Sequence, residues 1–255
     1  MCFKYDASPA ITPIAGAAVD SEDLVLKSAD GTEFAAFVAR AEAPNGAGMV
    51  VLPDVRGLFR FYEELALRFA ETGVNSVAID YFGRTAGVAK RGEDFAFMPE
   101  VMKTKIGQIT DDTRAAVEYL RSTAGGSCTS IFTVGFCFGG SNSWLQAAGG
   151  HDLAGAIGFY GRPANGFADN APGPAARAGE MKAPILALFG GADAMIPPDQ
   201  IEEFDKALTA ADVEHEIKSY EGAPHSFFDR TYEEFAKESA DAWERIQAFI
   251  AKHKK

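Results

Sequence analysis

Short, largely apolar runs recur along the chain at 49–52, 74–79, 131–134, 156–160 and 184–189, with stretches of helical spacing between them. A continuous apolar run of this length is what a strand buried on both faces looks like. Strands alternating with helical segments predict an α/β fold: a mostly parallel central sheet with helices on both faces. The helical stretches are 61–72, closed by Gly73; a segment marked by Ile106, Ile109, Thr113, Val117 and Leu120; one from Ser141; 198–210; and 232–251, with Phe235, Ser239, Trp243, Ile246 and Phe249 along one side. A further strand is expected at 214–220. Ahead of the alternation, 24–26 and 34–38 flank Ser28-Ala29-Asp30-Gly31, which predicts an N-terminal hairpin.

Residues 1–20 carry Ala and Pro without a period and read as an extended arm; 21–255 read as a single domain. The stretches 85–103 and 161–182 are rich in Gly and Pro and are expected to be irregular. A chain of 255 residues can bury a substantial core as one α/β domain. With 24 basic and 36 acidic residues the net charge is −12, which argues against a nucleic-acid partner. Three cysteines, Cys2, Cys128 and Cys137, make a poor disulfide framework and point to a reducing compartment. The first residues do not resemble a signal peptide, and no run reaches the ~20 apolar residues of a membrane span. The expectation is a cytoplasmic protein, a monomer or small homo-oligomer, without a membrane partner.

Sites in open parallel sheets form at the carboxyl ends of strands. Past the expected strands lie Asp54, then Asp80 and Arg84, then Cys137, Asp193 and His225. Cys137 stands in Gly135-Phe136-Cys137-Phe138-Gly139, the form of a nucleophile elbow with Cys in place of Ser. A sharp strand-to-helix turn places the thiol on strained backbone, and small neighbours let it pack. The helix N-terminus that follows lowers a thiol pKa and offers N–H groups to an oxyanion. His225 would take the thiol proton and Asp193 would orient the imidazole. The bland reading of Cys137, a small buried hydrophobe, is outweighed by its glycines and its two ordered partners. Tyr160, at a strand end, either lines the pocket or packs beneath it.

The motifs Val134-Gly135-Phe136-Cys137-Phe138-Gly139-Gly140, Gly190-Gly191-Ala192-Asp193 and Pro224-His225-Ser226-Phe227 resemble those of the dienelactone hydrolases, a family of the α/β-hydrolase superfamily. The resemblance spans about residues 23–250. It extends to Leu52-Pro53-Asp54-Val55-Arg56-Gly57-Leu58, where the family carries a Glu that contacts the resting thiol; here it is Asp54, one methylene shorter. The resemblance implies oxyanion N–H groups from Val55 and Phe138, and two arginines that hold a substrate carboxylate. Arg84 matches the first. For the second, position 229 is Asp and Arg230 follows, five residues after His225.

A thiolate suits acyl groups with good leaving groups, because an alkoxide is expelled far less readily than a thiol of pKa about 8.5. Enol lactones, aryl esters and thioesters qualify. The expectation is a hydrolase that opens an activated, carboxylated lactone such as a dienelactone through a thioester, with no metal or organic cofactor. The alternatives are a carboxylesterase or thioesterase of the same family, and a non-catalytic binding module.

Overall fold

The computed structural model describes residues 7–15, 17, 19–164 and 171–255. Cys2, part of the expected arm, and positions 165–170 of the loop-rich stretch lie outside the described residues.

Eight strands form one sheet: β1 (Val19–Lys27), β2 (Glu33–Ala41), β3 (Ala47–Leu52), β4 (Asn75–Ile79), β5 (Ser130–Phe136), β6 (Gly155–Phe159), β7 (Ile185–Gly190) and β8 (His215–Tyr220). Their order is β1-β2-β4-β3-β5-β6-β7-β8. β1 and β2 form the expected hairpin, and β2 runs antiparallel to β4. The strands from β4 to β8 are parallel to one another. Every residue of β3 to β7 is buried, as the apolar runs required. β1 is half exposed and carries Asp20, Glu22 and Asp23, charges that discourage a second sheet from pairing with this edge. β8, the other edge, is likewise only partly covered.

The helices are α1 (Arg60–Glu71), α2 (Gly83–Ala86), α3 (Phe97–Val101), α4 (Ile106–Arg121), α5 (Phe138–Gln146), α6 (Pro198–Ala210) and α7 (Ala236–His253). Phe249 of α7 lies against Gly155, and Trp144 of α5 against Gly158. Residues three apart on a strand face opposite sides, so α7 and α5 cover opposite faces of the sheet. α1 joins α7 through the Phe69 and Trp243 rings, 5.0 Å apart. Of the arm, Ala7 and Ile11 pack on the core, and the Ile14 N–H donates to the Glu71 carboxylate at 3.0 Å. The last expected arm positions already belong to β1.

The structure differs from the sequence expectation in several places, among them a 3-10 helix at Ala175–Glu180 in the loop-rich stretch. α5 begins at Phe138, not Ser141, because the Gly140 and Ser141 N–H groups close onto the Cys137 carbonyl; tertiary packing overrides the low helix propensity of the glycine pair. The irregular stretch after β4 contains two short helices, α2 and α3. The last helix starts at Ala236, four residues late, after a run of turns from Ser226 to Phe235.

The chain builds β3, adds β4 on one side, then crosses to β5 on the other. Loops leaving β3 and β5 therefore diverge and open a crevice at the carboxyl end of the sheet.

Candidate active site

Strand register sets the level of each group. Leu52 pairs with Gly135, so Asp54 and Cys137 each lie two residues beyond a matched pair. Phe136 pairs with Phe159, which puts Tyr160 beside Cys137 on the next strand. Asp193 follows β7 and His225 follows β8.

Cys137 has φ 55° and ψ −112°, a backbone that side-chain-bearing residues rarely adopt. Its N–H donates to the Phe159 carbonyl at 3.0 Å. The elbow can be this tight because its flanks lack side chains. A Cβ on Gly135 would fall 1.9 Å from the Gly139 carbonyl oxygen, and one on Gly139 would fall 2.1 Å from that of Leu52. Phe138 is the first residue of α5, where N–H groups point out of the helix toward whatever lies before it. The thiol is partly exposed.

His225 Nδ1 and Asp193 Oδ2 are 2.6 Å apart, and Asp193 Oδ1 accepts the Met195 N–H at 2.8 Å. Asp193 is buried, so its charge acts on the imidazole with little solvent screening. Tyr160 is fully buried and offers no surface to a ligand; its ring centre lies 4.9 Å from that of His225. Of the two readings of this residue, its burial supports the packing one.

Asp54 is fully buried and turned to Arg56. Its Oδ1 accepts the Arg56 backbone N–H at 2.9 Å, and its Oδ2 accepts Arg56 Nη2 at 2.9 Å. The Arg56 guanidinium stacks over Phe59 at 4.4 Å. The Asp54 carboxylate is thus paired with a guanidinium. The Tyr62 hydroxyl accepts the Asp54 N–H, and the Tyr81 hydroxyl donates to the Pro53 carbonyl. Burial, then the charges of Asp54, Asp80 and Cys137, hold the Tyr81 phenol well above its ordinary pKa, so it stays a donor. Asp80 ties down the same loop by accepting the Leu58 and Phe82 N–H groups and the Arg91 guanidinium.

Arg84 is placed elsewhere than expected. It donates to Asp112 at 2.6 Å and to Asp30 of the β1–β2 turn at 3.0 Å. Two carboxylates already match its charge, which leaves little attraction for a third. Asp112 also accepts the Ser28 hydroxyl, and burial is the largest influence on its raised pKa. Arg84→Ala leaves this buried acid without its cation. We expect a loss of about 2 kcal/mol, read as a lower urea midpoint.

Arg230 is exposed, and the position before it is a buried acid, Asp229. The Tyr160 hydroxyl donates to Asp229 Oδ2 at 2.7 Å. Neither Arg56 nor Asp229 was singled out from sequence as a site residue. Arg56 lay inside a quoted motif two residues from Asp54, and Asp229 was visible as an acid where the resemblance implies a base. Among the described residues no cluster of His, Cys, Asp and Glu is arranged to hold a metal ion, and no helix is long and apolar enough to cross a membrane.

A strained cysteine between a buried strand and a helix N-terminus, on a mostly parallel sheet with an acid-bound imidazole past its last strand, defines a hydrolase of the α/β-hydrolase class. A sequence profile of the dienelactone hydrolase family matches residues 34–254, and the chain belongs to that family. It is a hydrolase acting on esters.

A protein of Salmonella typhimurium, provisionally named carboxymethylenebutenolidase, is 28% identical over 260 residues, covering 96% of this chain and 95% of the relative. One from Saccharolobus solfataricus, provisionally given the same name, is 28% identical over 269 residues, covering 90% and 98%. A crystal structure from Klebsiella pneumoniae, provisionally named dienelactone hydrolase, superposes with a TM-score of 0.79 at 27% identity, covering 92% of this chain and 99% of the other. A dienelactone hydrolase-like promiscuous phosphotriesterase from metagenomic libraries gives a TM-score of 0.77 at 20% identity, covering 93% and 100%, a likeness of fold.

Proposed function

We propose that the protein hydrolyses activated esters, enol lactones of the dienelactone kind among them, through a thioester on Cys137. The observation that carries this reading is the 2.6 Å contact between buried Asp193 and His225, past the same end of the sheet as the strained Cys137 elbow. His225 takes the thiol proton, and Asp193 stabilises the imidazolium. The thiolate adds to the carbonyl carbon, and the backbone N–H groups of Phe138 and Val55 receive the oxyanion. Collapse breaks the bond to the enol or aryl oxygen, which leaves as an enolate or aryloxide and takes up the proton. Water, deprotonated by His225, then attacks the thioester. The acid is released and the thiol regenerated.

Arg84, matched by Asp30 and Asp112, favours a second reading within the same family: esters and thioesters without a carboxylate. The test follows the near-ultraviolet absorbance of a carboxylated dienelactone and of a neutral enol lactone, with Cys137→Ala as control. Turnover that requires Cys137 supports the thioester route. Comparable rates on both lactones support the carboxylate-independent reading. A preference of about tenfold or more for the carboxylated lactone would return Arg84 or Arg230 to an anchoring role.

A further inference from the structure

Asp229 is a buried acid that the mechanism above does not use. Both of its oxygens are engaged: Oδ2 by the Tyr160 phenol at 2.7 Å, Oδ1 by the Arg230 backbone N–H. Tyr160 is itself pinned. It has φ 36°, its N–H donates to the Leu188 carbonyl at 2.8 Å, and its ring meets Phe227 at 5.8 Å and His225 at 4.9 Å. The imidazole thus has one acid bound directly, Asp193, and a second acid reached through a phenol ring.

We propose that Asp229 is a positioning residue for His225, acting through Tyr160 to seat the imidazole against Asp193 and adding a negative charge that favours the imidazolium. This rests on the Cys137–His225 reading given above. The charged and titratable groups facing Asp229 are Tyr160 at the end of β6, Asp54 past β3 with its partner Arg56, and His225 with Arg230 on its own segment. Burial is the largest influence and pushes the Asp229 carboxyl up to about 7. The Tyr160 and Arg230 hydrogen bonds and His225 pull it down, and Asp54 pushes it further up. The second charge is therefore absent in acid and present in mild base.

The test is the pH dependence of Cys137 alkylation by iodoacetamide, with single-turnover acylation by a neutral aryl ester alongside it. The variants are Asp229→Asn and Tyr160→Phe. Alkylation reads the thiolate–imidazolium pair whether or not the ester is a substrate. We expect Asp229→Asn to match wild type below about pH 6 and to fall about fivefold behind above about pH 8. Tyr160→Phe keeps the carboxylate but removes the hydrogen bond that lowers its pKa and ties it to the ring beside His225, so the step moves to higher pH and becomes smaller. A uniform loss at every pH, or no change at any, would show that Asp229 serves packing alone and overturn the proposal. Should Asp229→Asn fail to fold by circular dichroism, the shift in Tyr160→Phe decides. Failure of the thioester reading looks different: wild type is alkylated with the Asp229-dependent step but is not acylated by the ester.

Discussion

Cys137→Ala is expected to lower hydrolysis of an activated aryl ester by about a thousandfold or more, with thermal unfolding close to wild type. The size of the effect follows from the loss of the attacking atom. On the proposed thioester route, only water activated by His225 and the oxyanion N–H groups would remain. The fold should tolerate the change, because the thiol is partly exposed and its removal leaves little void. The elbow itself is held by the backbone, through the Cys137 N–H on Phe159 and the Cys137 carbonyl on Gly140 and Ser141. Cys137→Ser keeps an oxygen at the same place but raises the nucleophile's pKa far above neutral, so its rate should also fall sharply. Initial rates of aryloxide release, with circular dichroism on the same samples, check both variants. If Cys137→Ser kept most of the activity, the thioester route would be refuted.

Gly139→Ala is expected to cost about 3 kcal/mol or more of stability. The added Cβ would lie 2.1 Å from the Leu52 carbonyl oxygen and 2.2 Å from that of Pro53. Neither can step aside easily. Leu52 ends β3, a strand buried throughout and paired on both sides. Relief must come from parting α5 and β3, which would also disturb the backbone that leads to Val55 and Phe138, the proposed oxyanion donors. Stability and activity should fall together. Gly107→Ala, in the first turn of α4 with nothing within 4 Å of its Cβ, is the matched control and should be neutral or stabilising by about 0.5–1 kcal/mol. Urea unfolding of the pair distinguishes close approach from helix propensity.

The parts of this molecule that were legible in its sequence are those set by local pattern. Five apolar runs became five buried strands, and glycines around Cys137 marked the elbow. The order Cys137, Asp193, His225 put each group past a different strand, and the structure joins Asp193 to His225. Pairings decided by distant chain were not legible. Arg84 finds Asp112, 28 residues on, and Asp30, 54 residues back, and no local feature marks either as its partner. Asp54 shows a different limit: its partner Arg56 is two residues away, but sequence does not say whether a carboxylate faces a thiol or a guanidinium. The sequence shows an acid at position 229 where the resemblance implies an arginine, while the partner of that acid is Tyr160, which follows a distant strand.

The sheet is protected unevenly, and Cys137 and His225 lie at different points of that gradient. Cys137 follows β5, covered by neighbours on both sides, whereas His225 follows β8, an edge strand that solvent partly reaches. Backbone that opens without global unfolding is drawn from such poorly covered elements. Fraying of β8 would carry the proposed base away while the strand before Cys137 stayed intact. The working lifetime of the site is then bounded by the least protected strand that carries one of its groups, well below the stability of the core that displays the thiol.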